Sequence, residues 1–304
     1  MEALKNLNEK KKFDINFARA ISEFEKAFQK FPVKRILYNM IFRGKGLEFD
    51  SYRTFEPSDD TSMIDWKATL RANETLAKKY IEERDLSIYF LVDVSNGMLF
   101  GSGEKLKAEY SAEIVASIAH LIYSSGDKIG LVMFNDGPKK ILYPSNSKNQ
   151  FLLFTKFLSD PKYYGGGFNL EKTIMEVLKF TKSAYTIFIV ISDFINLKKE
   201  DETIIKILGS RFETMAIMIR DSLDESLDDL PFQISIQDPH SKRQMTLDPS
   251  ITTKKYEESV AKQKELIRDI FKRSKTDLLE LNIQEKFVPP TVKFLKGRSR
   301  GGRV

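Results

Sequence analysis

The sequence predicts an α/β protein, a doubly wound and mainly parallel sheet preceded by a smaller segment of helix and short strands. Three observations carry this reading. Apolar runs of strand length recur at Ser87 to Val92 (SIYFLV), Lys128 to Phe134 (KIGLVMF), Thr186 to Ser192 (TIFIVIS) and Glu213 to Ile219 (ETMAIMI). Such runs are continuous rather than alternating, as strands buried on both faces are. The segments between them carry apolar residues three and four apart, the stripe of an amphipathic helix. Before about residue 84 the texture is different, rich in aromatics, charge and turns.

Taken in order, Phe17, Ile21, Phe24, Phe28 and Phe31 form a helical stripe that Pro32 ends. Short strands and loops are expected from Ile36 to Ile81. After the first sheet strand a helix spans about Lys105 to Ser124, with Leu106, Tyr110, Ile114, Ile118, Leu121 and Ile122 on its stripe and Gly126 closing it. The second strand turns at Asn135-Asp136-Gly137-Pro138 into a short strand at Lys140 to Tyr143. A helix over Asn149 to Leu158 follows, then the loop Tyr163 to Phe168 and a helix capped by Asn169. Beyond Thr186 to Ser192 a helix over Glu200 to Leu208 stops at Gly209. Asp221 to Asp248 reads as loop and short hairpin, Thr252 to Lys272 as a long helix, and Asp277 to Leu281 as the last strand before Pro289-Pro290. The expected division is residues 1–84, a sheet domain over 85–288, and a disordered basic tail over 289–304.

Composition narrows the function. The chain has 304 residues and no cysteine, which excludes disulfides, thiolate metal sites and a cysteine nucleophile and suits a reducing compartment. No apolar run approaches the roughly 18 residues of a membrane span, and Met1 to Phe13 lacks the apolar stretch of a secretory signal. A cytoplasmic location is expected. The net charge of +6 owes part of its surplus to Lys296, Arg298, Arg300 and Arg303, a tail that could touch an anionic membrane surface. Acidic and basic residues are otherwise mixed, so nucleic acid is an unfavoured partner. His120 and His240 have no serine in a nucleophile-elbow context, and Gly165-Gly166-Gly167 lacks the lysine of a phosphate loop. The acidic run Asp221, Asp224, Glu225, Asp228 and Asp229 reads as a solvated loop, its spacing fitting no EF-hand.

In a doubly wound sheet, ligands sit beyond the carboxyl ends of the strands. The first strand leaves through Asp93-Val94-Ser95-Asn96-Gly97-Met98 and the central one through Ser192-Asp193-Phe194. Asp93, Ser95 and Asp193 are hard oxygen donors of the kind that binds magnesium. The alternative, that the two aspartates only cap the loops they begin, stays open. The pattern resembles the von Willebrand factor A fold, whose metal-ion-dependent adhesion site combines an Asp-x-Ser-x-Ser motif, a threonine after a Gly-Gly pair and an aspartate after the fourth strand. Asp93, Ser95 and Asp193 match three of those positions, whereas Gly97 stands for the second serine and Phe168 for the threonine. The resemblance therefore implies a degenerate site in which magnesium binds weakly or not at all and no cofactor is required.

A longer resemblance lies upstream. Gly46-Leu47-Glu48-Phe49, Arg53, Glu56-Pro57, Asp59-Asp60, Ile64-Asp65-Trp66-Lys67-Ala68, Arg71, Lys79 and Glu82-Glu83-Arg84 are similar to the signature of domain-of-unknown-function 58 proteins, and the likeness continues through Met98 to Gly101 and Gly126 to Leu131. Phe55, Ser58 and Ser62 depart from it. Arg53, Asp59, Asp60, Asp65, Lys67 and Arg71 are expected to form a charge-balanced structural network around a buried Trp66, the only tryptophan. The function expected is a non-catalytic binding or scaffold module. The family implies a partner, a MoxR-type AAA+ ATPase, with which it would act as a chaperone-like unit in assembling or activating other proteins. Asn96, Gly97, Phe168 and Phe194, in the loops after the strands, are the expected partner-binding residues. The competing reading is a magnesium-dependent hydrolase using Asp59, Asp60 and Asp65.

Overall fold

A computed structural model describes residues 13–28, 49–56, 61–80, 86–183, 185–226, 234–237, 244–247 and 249–299. Its centre is a sheet of six strands: β3 (Ser87–Asp93), β4 (Lys128–Phe134), β5 (Pro138–Ser145), β6 (Thr186–Ser192), β7 (Glu213–Arg220) and β10 (Asp277–Asn282). They lie in the order β5-β4-β3-β6-β7-β10, all parallel except β5, which returns antiparallel beside β4. This is the von Willebrand factor A-like arrangement. The chain reverses direction across the sheet between β3 and β6, so the carboxyl ends of those two strands form the topological switch point.

The apolar runs fold this way because both faces of each central strand are covered. Ile88, Phe90 and Val92 of β3 face one cluster, and Tyr89 and Leu91 face the other. The first face is covered by α1 (Phe17–Phe28), α3 (Lys107–Ser124), α4 (Gln150–Leu158) and α8 (Val288–Ser299), the second by α5 (Leu170–Phe180), α6 (Glu202–Arg211) and α7 (Pro249–Arg273). Asn169 caps α5 as expected, its Oδ1 accepting from the Lys172 amide at 2.8 Å. Helix α6 runs past Gly209 rather than stopping there. A Cβ at that glycine would stand 2.5 Å from the Ser274 carbonyl oxygen, so the residue serves a close approach and not a helix end.

The expected boundaries differ from the observed ones at both ends. Helix α1 lies in the main core through Phe24 and Phe28. It is fastened by two carboxylates of α3: Glu109 Oε1 accepts from the Asp14 amide at 2.7 Å, and Glu113 Oε1 from the Asn16 amide at 3.0 Å. The stretch 289–299 is helical, not a disordered tail. Pro289 and Pro290 sit in the first turn of α8, where a missing N–H forfeits no helical bond. Val292, Phe294 and Leu295 are buried, and so is Arg298, which pairs with Glu213 and, at 2.8 Å, with Asp277. Arg300 and Arg303 lie outside the described residues.

Upstream, β1 (Phe49–Thr54) pairs antiparallel with β2 (Leu76–Tyr80) around a short helix, α2 (Trp66–Ala72). A second antiparallel pair, β8 (Ile234–Gln237) and β9 (Gln244–Leu247), supplies the expected hairpin. Among the described residues no helix is long and apolar enough to cross a membrane.

Candidate functional site: the carboxylate edge and the α2 face

At the switch point Asp93 and Asp193 converge, both buried. Asp93 accepts from the Ser192 hydroxyl at 2.6 Å and from the Ser95 amide at 2.8 Å. Burial, and then the neighbouring Asp193 charge, push its carboxyl up to about 7 despite those bonds. Asp193 experiences the same burial, which alone would raise it, yet it is held below the usual carboxylate range. The cause is Lys107. The first turn of α3 carries this side chain into the edge, 1% exposed, where Nζ lies 2.7 Å from Asp193 Oδ2 and 2.9 Å from Asp224 Oδ2. The ammonium stays charged because the two carboxylates outweigh the cost of its burial, and its titration moves upward. Arg220, at the end of β7 and also buried, adds to the field that depresses Asp193.

The remaining expected site residues take other roles. Gly97 is buried, and a Cβ there would stand 2.8 Å from Asp193 Oδ2, so the carboxylate fills the space that a serine side chain would need. Phe168 packs on Phe134, with ring centres 5.9 Å apart, and joins the core of the second sheet face instead of filling the site. Phe194 is buried against Phe271 at 5.0 Å, in a left-handed conformation with φ 52°, so it offers no surface to a partner. Asn96 holds the glycine loop: its amide donates to the Gly166 carbonyl at 3.0 Å and its Oδ1 accepts from the Gly166 amide at 3.2 Å. Gly165 and Gly166 adopt the positive φ values, 107° and 94°, that this docking requires.

These residues do not fit a magnesium ion. Magnesium demands about six oxygens in a near-octahedral shell, whereas here one carboxylate is paired with an ammonium, the other already accepts from the Ser192 hydroxyl and the Ser95 amide, and positions 97 and 168 supply no side-chain oxygen. Among the described residues no group of three or more acidic or histidine side chains stands arranged to hold a metal.

Of the expected upstream network, Asp65 has other partners than expected. Asp65 caps α2, accepting from the Lys67 and Ala68 amides at 3.1 and 3.2 Å, from the Tyr52 hydroxyl at 3.1 Å, and pairing with Lys78 at 3.4 Å. Its partners are thus backbone, Tyr52 and Lys78 rather than Arg53, Lys67 and Arg71. The Arg53 guanidinium donates to the Thr54 carbonyl. Asp59 and Asp60 lie outside the described residues, as do Glu82 to Arg84, His240, Asp228 and Asp229. Trp66 is not a buried anchor: it is 65% exposed, and Leu70, one turn on, is 84% exposed. No residue of α2 is buried. A seven-residue helix held by its cap and a two-stranded ladder has no inward stripe long enough to bury an indole.

Sequence reasoning missed Lys107, Asp224 and Asp221. The last is no solvated loop residue, being buried and accepting from the Ser102 amide and hydroxyl at 2.8 and 2.9 Å, which ties the β3–α3 connection to the end of β7. A signal for Lys107 existed. Ala108, Ala112, Val115, Ala116 and Ala119 fill the faces that the apolar stripe of α3 leaves open, so this helix has almost no solvent side and its charged residues must find internal partners.

The protein family described as "Protein of unknown function DUF58" matches residues 51–266. An uncharacterized protein of Mycobacterium tuberculosis is 24% identical over 265 residues, 85% of this chain and 81% of the relative. Among solved structures, the conserved hypothetical protein BatB from Bacteroides thetaiotaomicron is similar over 71% of this chain and 99% of its own, at 12% identity and a TM-score of 0.45. The SpRpn10 VWA domain is similar over 73% and 98%, at 12% identity and a TM-score of 0.40. The family match spans well over half of the sequence, and the chain therefore belongs to the DUF58 family of proteins of unknown function, with a von Willebrand factor A-like fold.

Proposed function

We propose that this chain is a non-catalytic protein-binding module that docks through the exposed face of α2. The observation that carries the reading is the pair Trp66 and Leu70, one helical turn apart and both largely in solvent, with Met63 and Tyr52 exposed nearby. Large apolar side chains exposed singly are ordinary, but a tryptophan with a leucine on one turn is the composition of an interface hot spot. Lys67 and Arg71, also one turn apart and exposed, flank them, while the Asp65 carboxylate is occupied by capping. The fitting partner is a protein with an apolar pocket rimmed by carboxylates. A MoxR-type AAA+ ATPase, the partner class that family resemblance implies, is the partner we assign, with a chaperone-like role in assembling or activating other proteins in the cytoplasm. The non-catalytic reading is supported by the internal pairing of the edge carboxylates and of Asp65, which leaves neither Asp193 nor Asp65 as a base facing an open cleft.

The test is titration of the purified chain with the MoxR-type ATPase from the same organism. Trp66→Ala combined with Leu70→Ala should weaken binding by about thirtyfold or more, the loss of two hot-spot residues. Asn96→Ala, in the strand-end loops, should leave the affinity within about threefold. The opposite ranking would move the docking surface to the sheet edge. Absence of binding to the ATPase would remove that partner.

A further inference from the structure

We propose that the ammonium of Lys107 is the built-in cation of the carboxylate edge, standing in for the divalent ion that metal-dependent von Willebrand A domains hold there. The fold brings two carboxylates, Asp193 and Asp224, to the ends of different strands and then threads a lysine from the first turn of α3 between them, at 2.7 and 2.9 Å. Two of the three ammonium protons are thereby used, and the ring of Phe100 lies 5.7 Å away on another side. The charge is sealed at 1% exposure. A buried pair of this kind persists only when each charge is matched, and two carboxylates here share one tethered cation with Arg220 close by.

Two further substitutions fit the same arrangement. Gly97 leaves room for the Asp193 carboxylate to reach the ammonium, since any side chain at 97 would meet Asp193 Oδ2 at 2.8 Å. Phe168, placed where the metal-dependent pattern has a threonine, is half-buried and packs against the core beside Phe134. A lysine between two carboxylates, a glycine where the Asp193 carboxylate needs space, and a phenyl packed against the core where the metal-dependent pattern has a hydroxyl together suit a fixed internal cation in place of an exchangeable metal. The consequence is that the edge is structural and metal-independent, and that no partner is held through a metal bridge. This holds whether or not α2 is the docking surface.

The experiment compares the parent chain with Lys107→Ala, reading the thermal midpoint and the binding isotherm in Mn2+ or Ca2+ against chelator. The parent should show no saturable binding and no midpoint shift at millimolar ion. Lys107→Ala vacates the space between Asp193 and Asp224, so it should be less stable in chelator and regain part of the lost midpoint with either ion, in a saturable manner. Adding Asp193→Ala to that variant should abolish the gain. Saturable binding by the parent overturns the proposal whatever the variants do. So does a Lys107→Ala chain, folded or unfolded in chelator, that gains nothing from the ions, or a gain that survives Asp193→Ala.

Discussion

Asp93 is the residue whose setting differs most from that of the same side chain in water. It is buried beside Asp193, and its carboxyl is raised from 3.8 to about 7 by burial first and by that neighbour second. The folded chain therefore keeps a proton that the unfolded chain has released, and the contribution of Asp93 to stability falls as pH rises from roughly 4 to 7. Asp93→Asn, uncharged throughout, should lack that slope. The stability difference between parent and variant, from urea unfolding across this window, should drift in favour of the variant by on the order of a few kcal/mol. Parallel profiles would show that Asp93 is ionised in the fold at the low end of the window. The carboxylates themselves were legible in the sequence, because a strand ending in aspartate at a switch point is a positional signal. Their occupant was not, because a lysine in the first turn of a helix reads as a solvated end, and only the alanine-filled faces of α3 indicate otherwise.

Among the elements, the strands were the easiest to read. Each central run is apolar without interruption, so sheet membership, burial on both faces and parallel order follow from one pattern. Helix α8 was hidden by its composition. Two prolines at its start and the glycine and basic residues of its last turn resemble a linker, yet prolines in a first turn begin a helix and Arg298 is a core residue. Arg298→Ala removes the buried guanidinium that pairs with Glu213 and Asp277 and should cost about 3 to 5 kcal/mol. Chemical denaturation checks this. A loss below about 1 kcal/mol, the worth of a surface ion pair, would mean that α8 is only loosely attached. Helix α2 misled in the opposite direction. A lone tryptophan inside a family signature suggested an anchor, but the anchoring falls to Asp65, Thr69 and the β1–β2 ladder, which leaves the indole outside.

At the scale of the whole molecule, the sheet edge, where this fold commonly places its ligand, is closed by internal charge pairing, while α2 exposes Trp66 and Leu70 one turn apart. On the proposed reading, docking falls to that short helix and not to the sheet edge. Trp66 is the only tryptophan, so its fluorescence reports on that helix alone. In the free chain its emission should be that of an indole in water and open to iodide quenching, and saturating the chain with the MoxR-type ATPase should shift the emission to shorter wavelength and shield it. A blue-shifted, iodide-resistant emission in the free chain, or an indole still freely quenched in the complex, would contradict docking through α2.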